Sequence, residues 1–175
     1  NEFSIVHNGI IENYQEHKIF LENKNIYSVS QTDSEIIVNL LAYNYSILLD
    51  IKKAIHATNS SLKGTWALAI IHKTEPDKIY CIRNKSPLII GVNENMIIVS
   101  SEISGFNGKI SKIYSITDGE LVIISKKNDI LSHSCKSEFK IIDNTQKIAL
   151  TPEPYKYWLE KEINDQYITC RKAYN

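Results

Sequence analysis

The sequence predicts an α+β domain built on antiparallel sheets. Helix-like apolar spacing and a helix-capping signal occupy the first third of the chain, up to about Ala57. Five β-rich runs of five or six residues then follow between Trp66 and Ser125. Turn signals separate these runs closely, and connections so short make hairpins rather than crossovers. Helices first and strands after place the chain in the α+β class.

Phe3 to Val6 is the first expected strand. It runs into Asn8-Gly9, a turn pair, so a turn and then a helix are expected, with Ile11, Tyr14, Ile19 and Leu21 as apolar positions from Ile11 to Leu21. Ile26 to Val29 reads as a short strand. Thr32-Asp33-Ser34-Glu35 has the form of a capping box before Ile36, Ile37, Leu40 and Leu41, and so opens a helix. A further helix is expected from about Ile47 to Ala57, with Leu48, Ile51, Ala54 and Ile55 on one face.

Beyond Gly64 the expected strands are Trp66–Ile71, Lys78–Arg83, Leu88–Val92, Met96–Ser100 and Leu121–Ser125. Their turns are Glu75-Pro76-Asp77, Asn84-Lys85-Ser86-Pro87, Asn93-Glu94-Asn95 and Asp118-Gly119. Pro152 and Pro154 break the chain, and Tyr155 to Gln166 reads as a charged helix leaving the domain. The organisation expected is a domain over residues 1–150 and a connector over 151–175.

With 175 residues the chain can bury a proper core. Lys plus Arg and Asp plus Glu balance at 20 each, so no net field favours nucleic acid or an anionic membrane. No apolar run approaches the ~18 residues that a membrane helix needs. Neither a nucleic-acid nor a membrane partner is expected. Cys81, Cys135 and Cys170 are odd in number and scattered, which suits a reducing cytoplasm better than a disulfide framework. Cys81, inside a strand-like run, reads as a small buried hydrophobe. The N-x-[ST] sequons at Asn44, Asn59 and Asn84 read as chance in an Asn- and Ser-rich chain. There is no P-loop, dinucleotide fingerprint, C-x-x-C or H-E-x-x-H, so neither a cofactor nor a metal is expected.

Two segments carry the chemistry: His7-Asn8-Gly9-Ile10-Ile11-Glu12-Asn13 and Thr32-Asp33-Ser34-Glu35-Ile36-Ile37. An Asn amide and a Gly N–H at a strand end suit developing negative charge, although Asn-Gly is equally an ordinary turn. Asp33 suits a helix start on its own account, and a carboxylate there also suits an ammonium ligand. His7 reads either as a general base or as a hydrogen-bonded structural residue.

Together the two segments resemble the class II glutamine amidotransferases, specifically the glutaminase domain of the glucosamine-6-phosphate synthases. The first is similar to the family's HNGIIEN segment, and the second to TDTEVI with Ser34 for Thr and Ile36-Ile37 for Val-Ile. Leu62–Leu68, Arg83–Gly91, Ser100-Ser101-Glu102 and Asp118-Gly119-Glu120 resemble further family segments in the family's order, with Glu102 for an Asp. Trp158 to Gln166 is similar to the link toward the family's sugar-isomerase domains, with Trp158 for Met and Asp165 for Glu.

The resemblance implies an N-terminal-nucleophile αββα sandwich. It implies Asn8 and Gly9 as the oxyanion hole, and Asp33, with Gly9, as the binding site for L-glutamine through its α-ammonium. It implies a free N-terminal amine as base, which leaves His7 structural. The whole protein is then expected to pass ammonia from L-glutamine to fructose-6-phosphate in hexosamine biosynthesis, as a homo-oligomer, through isomerase domains outside this chain. The family's N-terminal cysteine has no counterpart at Asn1, so this chain alone is expected to be inactive. Other readings are a non-catalytic glutamine-binding or interaction module, or another class II branch with a different ammonia acceptor.

Overall fold

The computed structural model describes residues 2–106, 109–110, 112–127, 130–136, 139–141 and 152–173. The first strand, β1 (Phe3–Ile11), runs straight through Asn8-Gly9, where a turn was expected. β2 (Gly64–His72) pairs with it antiparallel along all nine residues, from Phe3↔His72 to Ile11↔Gly64. A continuous ladder bonds the β2-facing backbone groups of β1 along its whole length, and that outweighs the local turn preference of Asn-Gly.

Helix α1 (Tyr14–Glu22) therefore begins three residues later than the apolar pattern suggested. Asn13 precedes it and is buried, yet its side chain does not cap the helix. Its amide instead donates to the Ser61 carbonyl at 3.0 Å and accepts the Lys63 N–H at 2.8 Å, clamping the start of α1 to the chain entering β2.

The expected strand at Ile26–Val29 does not form. Glu35 explains why: its carboxylate accepts the N–H groups of Val29 at 2.7 Å and Ser30 at 2.6 Å, holding that stretch as a loop. The capping box is thus half realised. Thr32 caps α2 (Asp33–Leu48) by accepting the Glu35 N–H at 3.4 Å, while Glu35 reaches past Thr32 to earlier residues. These bonds, first from the Ser30 hydroxyl and then from the two amides, hold the Glu35 carboxyl below the usual range.

Leu49 adopts a left-handed conformation (φ 52°) that ends α2, and its N–H donates to the Tyr45 carbonyl at 2.8 Å. Asp50 then accepts the Lys53 N–H at 3.0 Å and caps α3 (Ile51–Ser61). The helix expected over Ile47–Ala57 is in fact this junction and the helix after it. Apolar spacing runs through the break unchanged, so periodicity does not reveal it.

The remaining strands are β3 (Glu75–Asn84), β4 (Ile89–Val92), β5 (Ile97–Ser100), β6 (Lys112–Ser115), β7 (Val122–Lys127), β8 (Ile130–His133) and β9 (Lys140–Ile141). All five expected strands after Gly64 are present. The turn between β2 and β3 falls at Lys73-Thr74 rather than Glu75-Pro76-Asp77. Pro76 lies where the β2–β3 register shifts, so its missing N–H breaks no ladder there. The short strands β6, β8 and β9 have too few alternating residues to stand out in sequence. A 3-10 turn covers Ile103–Phe106.

Two antiparallel sheets result, ordered β1-β2-β3-β7-β8 and β5-β4-β6-β9. Helices α1 to α3 cover one face of the larger sheet, burying Leu21, Ile37, Leu41 and Ile55 against Phe3, Ile11, Leu68 and Ile82. Each such side chain contributes about 1.5–3 kcal/mol on leaving water. The other face packs on the smaller sheet through Ala67, Cys81, Val122 and Ile124 against Leu88, Ile90, Tyr114 and Ile116. These are the helix, sheet and sheet layers of the expected αββα sandwich, and among the described residues up to Ile141 the α-helices are α1 to α3 alone.

The chain divides into two units, Asn1–Ile142 and Asp143–Asn175. Helix α4 (Trp158–Ala173) belongs to the second and begins and ends later than the expected helix over Tyr155–Gln166. Inside it the Asn164 amide donates to the Glu160 carbonyl at 2.7 Å.

Candidate functional site

At the end of β1 two glycines let the backbones of β1 and β2 take conformations closed to other residues. Gly9 has φ 133°, and a Cβ there would lie 2.1 Å from the Thr65 carbonyl oxygen. Gly64, opposite Ile11, has φ 115°, and a Cβ there would lie 2.3 Å from the Ile10 carbonyl oxygen. The Asn-Gly pair is thus a distorted strand end rather than a turn.

Strand alternation puts Phe3, Ile5 and His7 on the helix-covered face and Ser4, Val6 and Asn8 on the other. Asn8 lies beside Ala67, whose side chain belongs to the core between the sheets. Asn8 is exposed, and among the described residues its amide has no hydrogen-bond partner. Val6 and Ile10, on the same face of this terminal strand, are also exposed. The Asn8 amide is therefore open to a ligand at the sheet edge.

Asp33 arrives from the opposite face, as the first residue of α2. Its Oδ2 accepts the Ile11 N–H at 3.0 Å. Its Oδ1 lies 3.6 Å from His7 Nδ1. The same Nδ1 is 3.0 Å from Ser34 Oγ. The His7 side chain is only 3% exposed, and its Nε2 is buried without a partner among the described residues. Burial pushes the His7 pKa below its ordinary value, against the opposing pull of the Asp33 charge. A neutral, enclosed imidazole is poorly placed as a solvent-facing base.

An open groove borders Asp33, lined by Ile10, Ile11, Glu12, Tyr14, Gln31 and Thr32. Asp33 can present its carboxylate there while part of it is held by the Ile11 amide. The structure thus joins Asp33 to β1 beside Gly9, whereas Asn8 lies on the other face of the strand and outside that groove. Sequence reasoning did not find Ser34 or the Ile11 N–H as partners of the site. A contact between residues 27 apart leaves no trace in local spacing.

The thiols that the structure describes are not poised for nucleophilic work. Cys81 is fully buried in β3 and its thiol is pushed up to about 12, chiefly by burial. The Cys135 thiol is pushed up to about 11 by burial and then by the Glu120 charge. The Cys170 side chain lies outside the described residues. Among the described residues no group of three His, Cys, Asp or Glu could hold a metal ion. Nor is any described helix long and apolar enough to cross a membrane.

Residues 1–108 match the model of a family described as the glutamine amidotransferase domain. A probable glutamine–fructose-6-phosphate aminotransferase (isomerizing) of Acanthamoeba polyphaga mimivirus is 40% identical over 94% of this chain and 27% of its own length. The glutamine–fructose-6-phosphate aminotransferase of Clostridium acetobutylicum is 34% identical over 95% of this chain and 28% of its own. The chain thus spans just over a quarter of the length of these relatives. Among solved structures, a B. subtilis glutamine phosphoribosylpyrophosphate amidotransferase complexed with ADP and GMP superposes with TM-score 0.64 at 24% identity. That match covers 75% of this chain and 28% of the other, and it is a likeness of fold.

Proposed function

Because the chain belongs to the glutamine amidotransferase domain family, we propose that it forms part of the glutamine-hydrolysing site of a larger enzyme. In that enzyme the released ammonia passes to fructose-6-phosphate, giving glucosamine-6-phosphate for hexosamine biosynthesis. The names of the aminotransferase relatives support the acceptor, since they match this chain over nearly all its length. Residues 151–175 serve as the connector toward the sugar-isomerase part, and the whole works as a cytoplasmic homo-oligomer.

The observation that carries the reading is the Asp33 carboxylate, held beside the Gly9 end of β1 and facing a groove. L-glutamine docks its α-ammonium on Asp33, where opposite charges at hydrogen-bond distance bind strongly. Its side-chain amide then reaches the strand end. A thiolate adds to the amide carbon, and the carbonyl oxygen takes the negative charge. The Asn8 amide and the Gly9 N–H donate to that oxygen, which lowers the barrier by several kcal/mol. The C–N bond breaks as the nitrogen takes a proton, ammonia leaves, and water hydrolyses the thioester to glutamate. The nucleophile in this reading is the family's N-terminal cysteine, and neither Cys81 nor Cys135 replaces it.

The test uses the natural full-length protein. Asn8→Ala is expected to lower kcat for glutamine hydrolysis by about 100-fold with little change in KM. Asp33→Ala is expected to raise KM by at least about tenfold. Normal hydrolysis in Asn8→Ala would remove the oxyanion role, and unchanged affinity in Asp33→Ala would remove the ammonium role. Glutamine binding without any hydrolysis by the wild-type protein would point to a binding module instead.

A further inference from the structure

We propose that His7 and Ser34 are a positioning pair that fixes the Asp33 carboxylate for the substrate ammonium, with His7 acting through its Nδ1–H. The proposal rests on the glutaminase reading and assigns the device that aims its ammonium site.

The tautomer follows from the surroundings. His7 Nδ1 faces two oxygens, Ser34 Oγ at 3.0 Å and Asp33 Oδ1 at 3.6 Å. Nε2 is buried and faces no partner among the described residues. A proton on Nε2 would bury an unsatisfied donor and turn the Nδ1 lone pair toward a carboxylate. Both are unfavourable, since buried donors without partners cost about 1–3 kcal/mol. A proton on Nδ1 instead leaves only an unsatisfied acceptor and directs a donor at Ser34 and the Asp33 charge. Nδ1 therefore carries the hydrogen.

The geometry then holds the carboxylate at two points and braces one of them. The Ile11 N–H fixes Oδ2 at 3.0 Å, the His7 dipole faces Oδ1, and the His7–Ser34 bond stops the imidazole from turning away. His7 is on β1 beside Asn8, and Ser34 and Asp33 open α2, so the same bonds register the oxyanion strand against the ammonium site. A neutral imidazole enclosed in this way leaves the carboxylate's charge uncancelled, where a lysine or arginine would compete with the substrate ammonium. Because His7 faces Asp33, and Ser34 holds His7, with neither reaching the substrate amide, their loss weakens binding and leaves the chemical step intact.

The experiment measures kcat and KM in the natural full-length protein for L-glutamine and for its analogue without the α-amino group, glutaric acid monoamide. Ser34→Ala deletes the oxygen that holds His7, His7→Gln moves the donor away from the Nδ1 position, and Ser34→Thr keeps the hydroxyl. The wild type is expected to prefer glutamine strongly in kcat/KM. Ser34→Ala and His7→Gln are each expected to cut that preference about tenfold through KM, with kcat within about twofold. Ser34→Thr is expected to restore the preference, which a purely steric defect would not predict. A wild type with no preference would remove the ammonium role of Asp33 and this proposal with it. A wild-type preference that persists in both Ser34→Ala and His7→Gln would overturn the positioning pair alone.

Discussion

The Asp33 carboxylate accepts the Ile11 N–H at 3.0 Å, tying the first residue of α2 to the last residue of β1. Ile11 is buried, so without this acceptor its N–H loses its partner away from water. Asp33 therefore has a structural duty beside the binding duty proposed for it, and two substitutions separate them. Asp33→Asn retains an acceptor for the amide and is expected to cost under ~1 kcal/mol of stability while still losing glutamine affinity. Asp33→Ala is expected to lose affinity and about 1–3 kcal/mol of stability. Denaturant melts of both variants beside their KM values check this. Equal stability in the two variants would mean that the Ile11 bond contributes nothing.

Gly9→Ala is expected to be among the most damaging changes in the first unit. Its φ of 133° disfavours any side chain, and the new Cβ would sit 2.1 Å from the Thr65 carbonyl oxygen. The strand must shift or the ladder must open. A loss of at least about 3 kcal/mol in unfolding free energy is expected. A variant that melts within a degree or two of wild type would show that this end of β1 is not held as described.

Asn13→Ala removes two hydrogen bonds between elements, to the Ser61 carbonyl and from the Lys63 N–H. The expected cost is about 1–2 kcal/mol, because the Lys63 N–H loses its acceptor while the Ser61 carbonyl keeps His17 Nε2 at 3.0 Å. Amide hydrogen exchange at Lys63 reads the same event locally and should speed up in the variant. Unchanged exchange there would place the amide's protection elsewhere.

The lowered pKa of His7 makes stability depend on pH in a defined direction. The folded state binds this proton less readily than the unfolded chain, whose value is near 6.5. Stability is therefore complete above about pH 6.5 and falls as pH drops toward the folded value. The lowered carboxyls of Glu35, Asp50, Glu75, Asp118 and Glu120 act in the same direction but only below about pH 4.5, so the windows separate. Melting temperatures of wild type and His7→Asn between about pH 7 and 5 check this, with the flatter profile expected for the variant. Parallel profiles would rule out His7 as the titrating group.

Cys81 is expected to resist alkylation in the folded protein at neutral pH, and Cys135 to react more slowly than a free thiol, since both thiols are pushed well above neutrality. Denaturation should release full reactivity. Cys81→Ala in the natural full-length protein is expected to keep glutamine hydrolysis at a stability cost of about 1 kcal/mol. Loss of hydrolysis in a folded Cys81→Ala variant would reopen the choice of nucleophile.

Much of this was written in local patterns. The Thr32 cap and the apolar spacing after it gave α2, because a capping hydroxyl and a buried stripe act within a few residues of each other. Alternation and turn residues gave the five strands after Gly64. The segments at His7–Asn13 and Thr32–Ile37, read by resemblance, also identified the family, because they keep the family's residue types in the family's order.

By itself, then, the sequence determined the α+β class, most elements and the family. Only the tertiary structure decided that β1 continues through Asn8-Gly9, that Glu35 holds Val29 and Ser30 out of a strand, and that Leu49 divides one apolar stretch into two helices. It also brought His7, Asp33 and Ser34 together. The reason is range. Propensity and spacing describe each residue against its close neighbours. The ladder with β2 and the 27-residue contact between His7 and Ser34 exist only once distant segments have packed and their polar groups must find partners away from water.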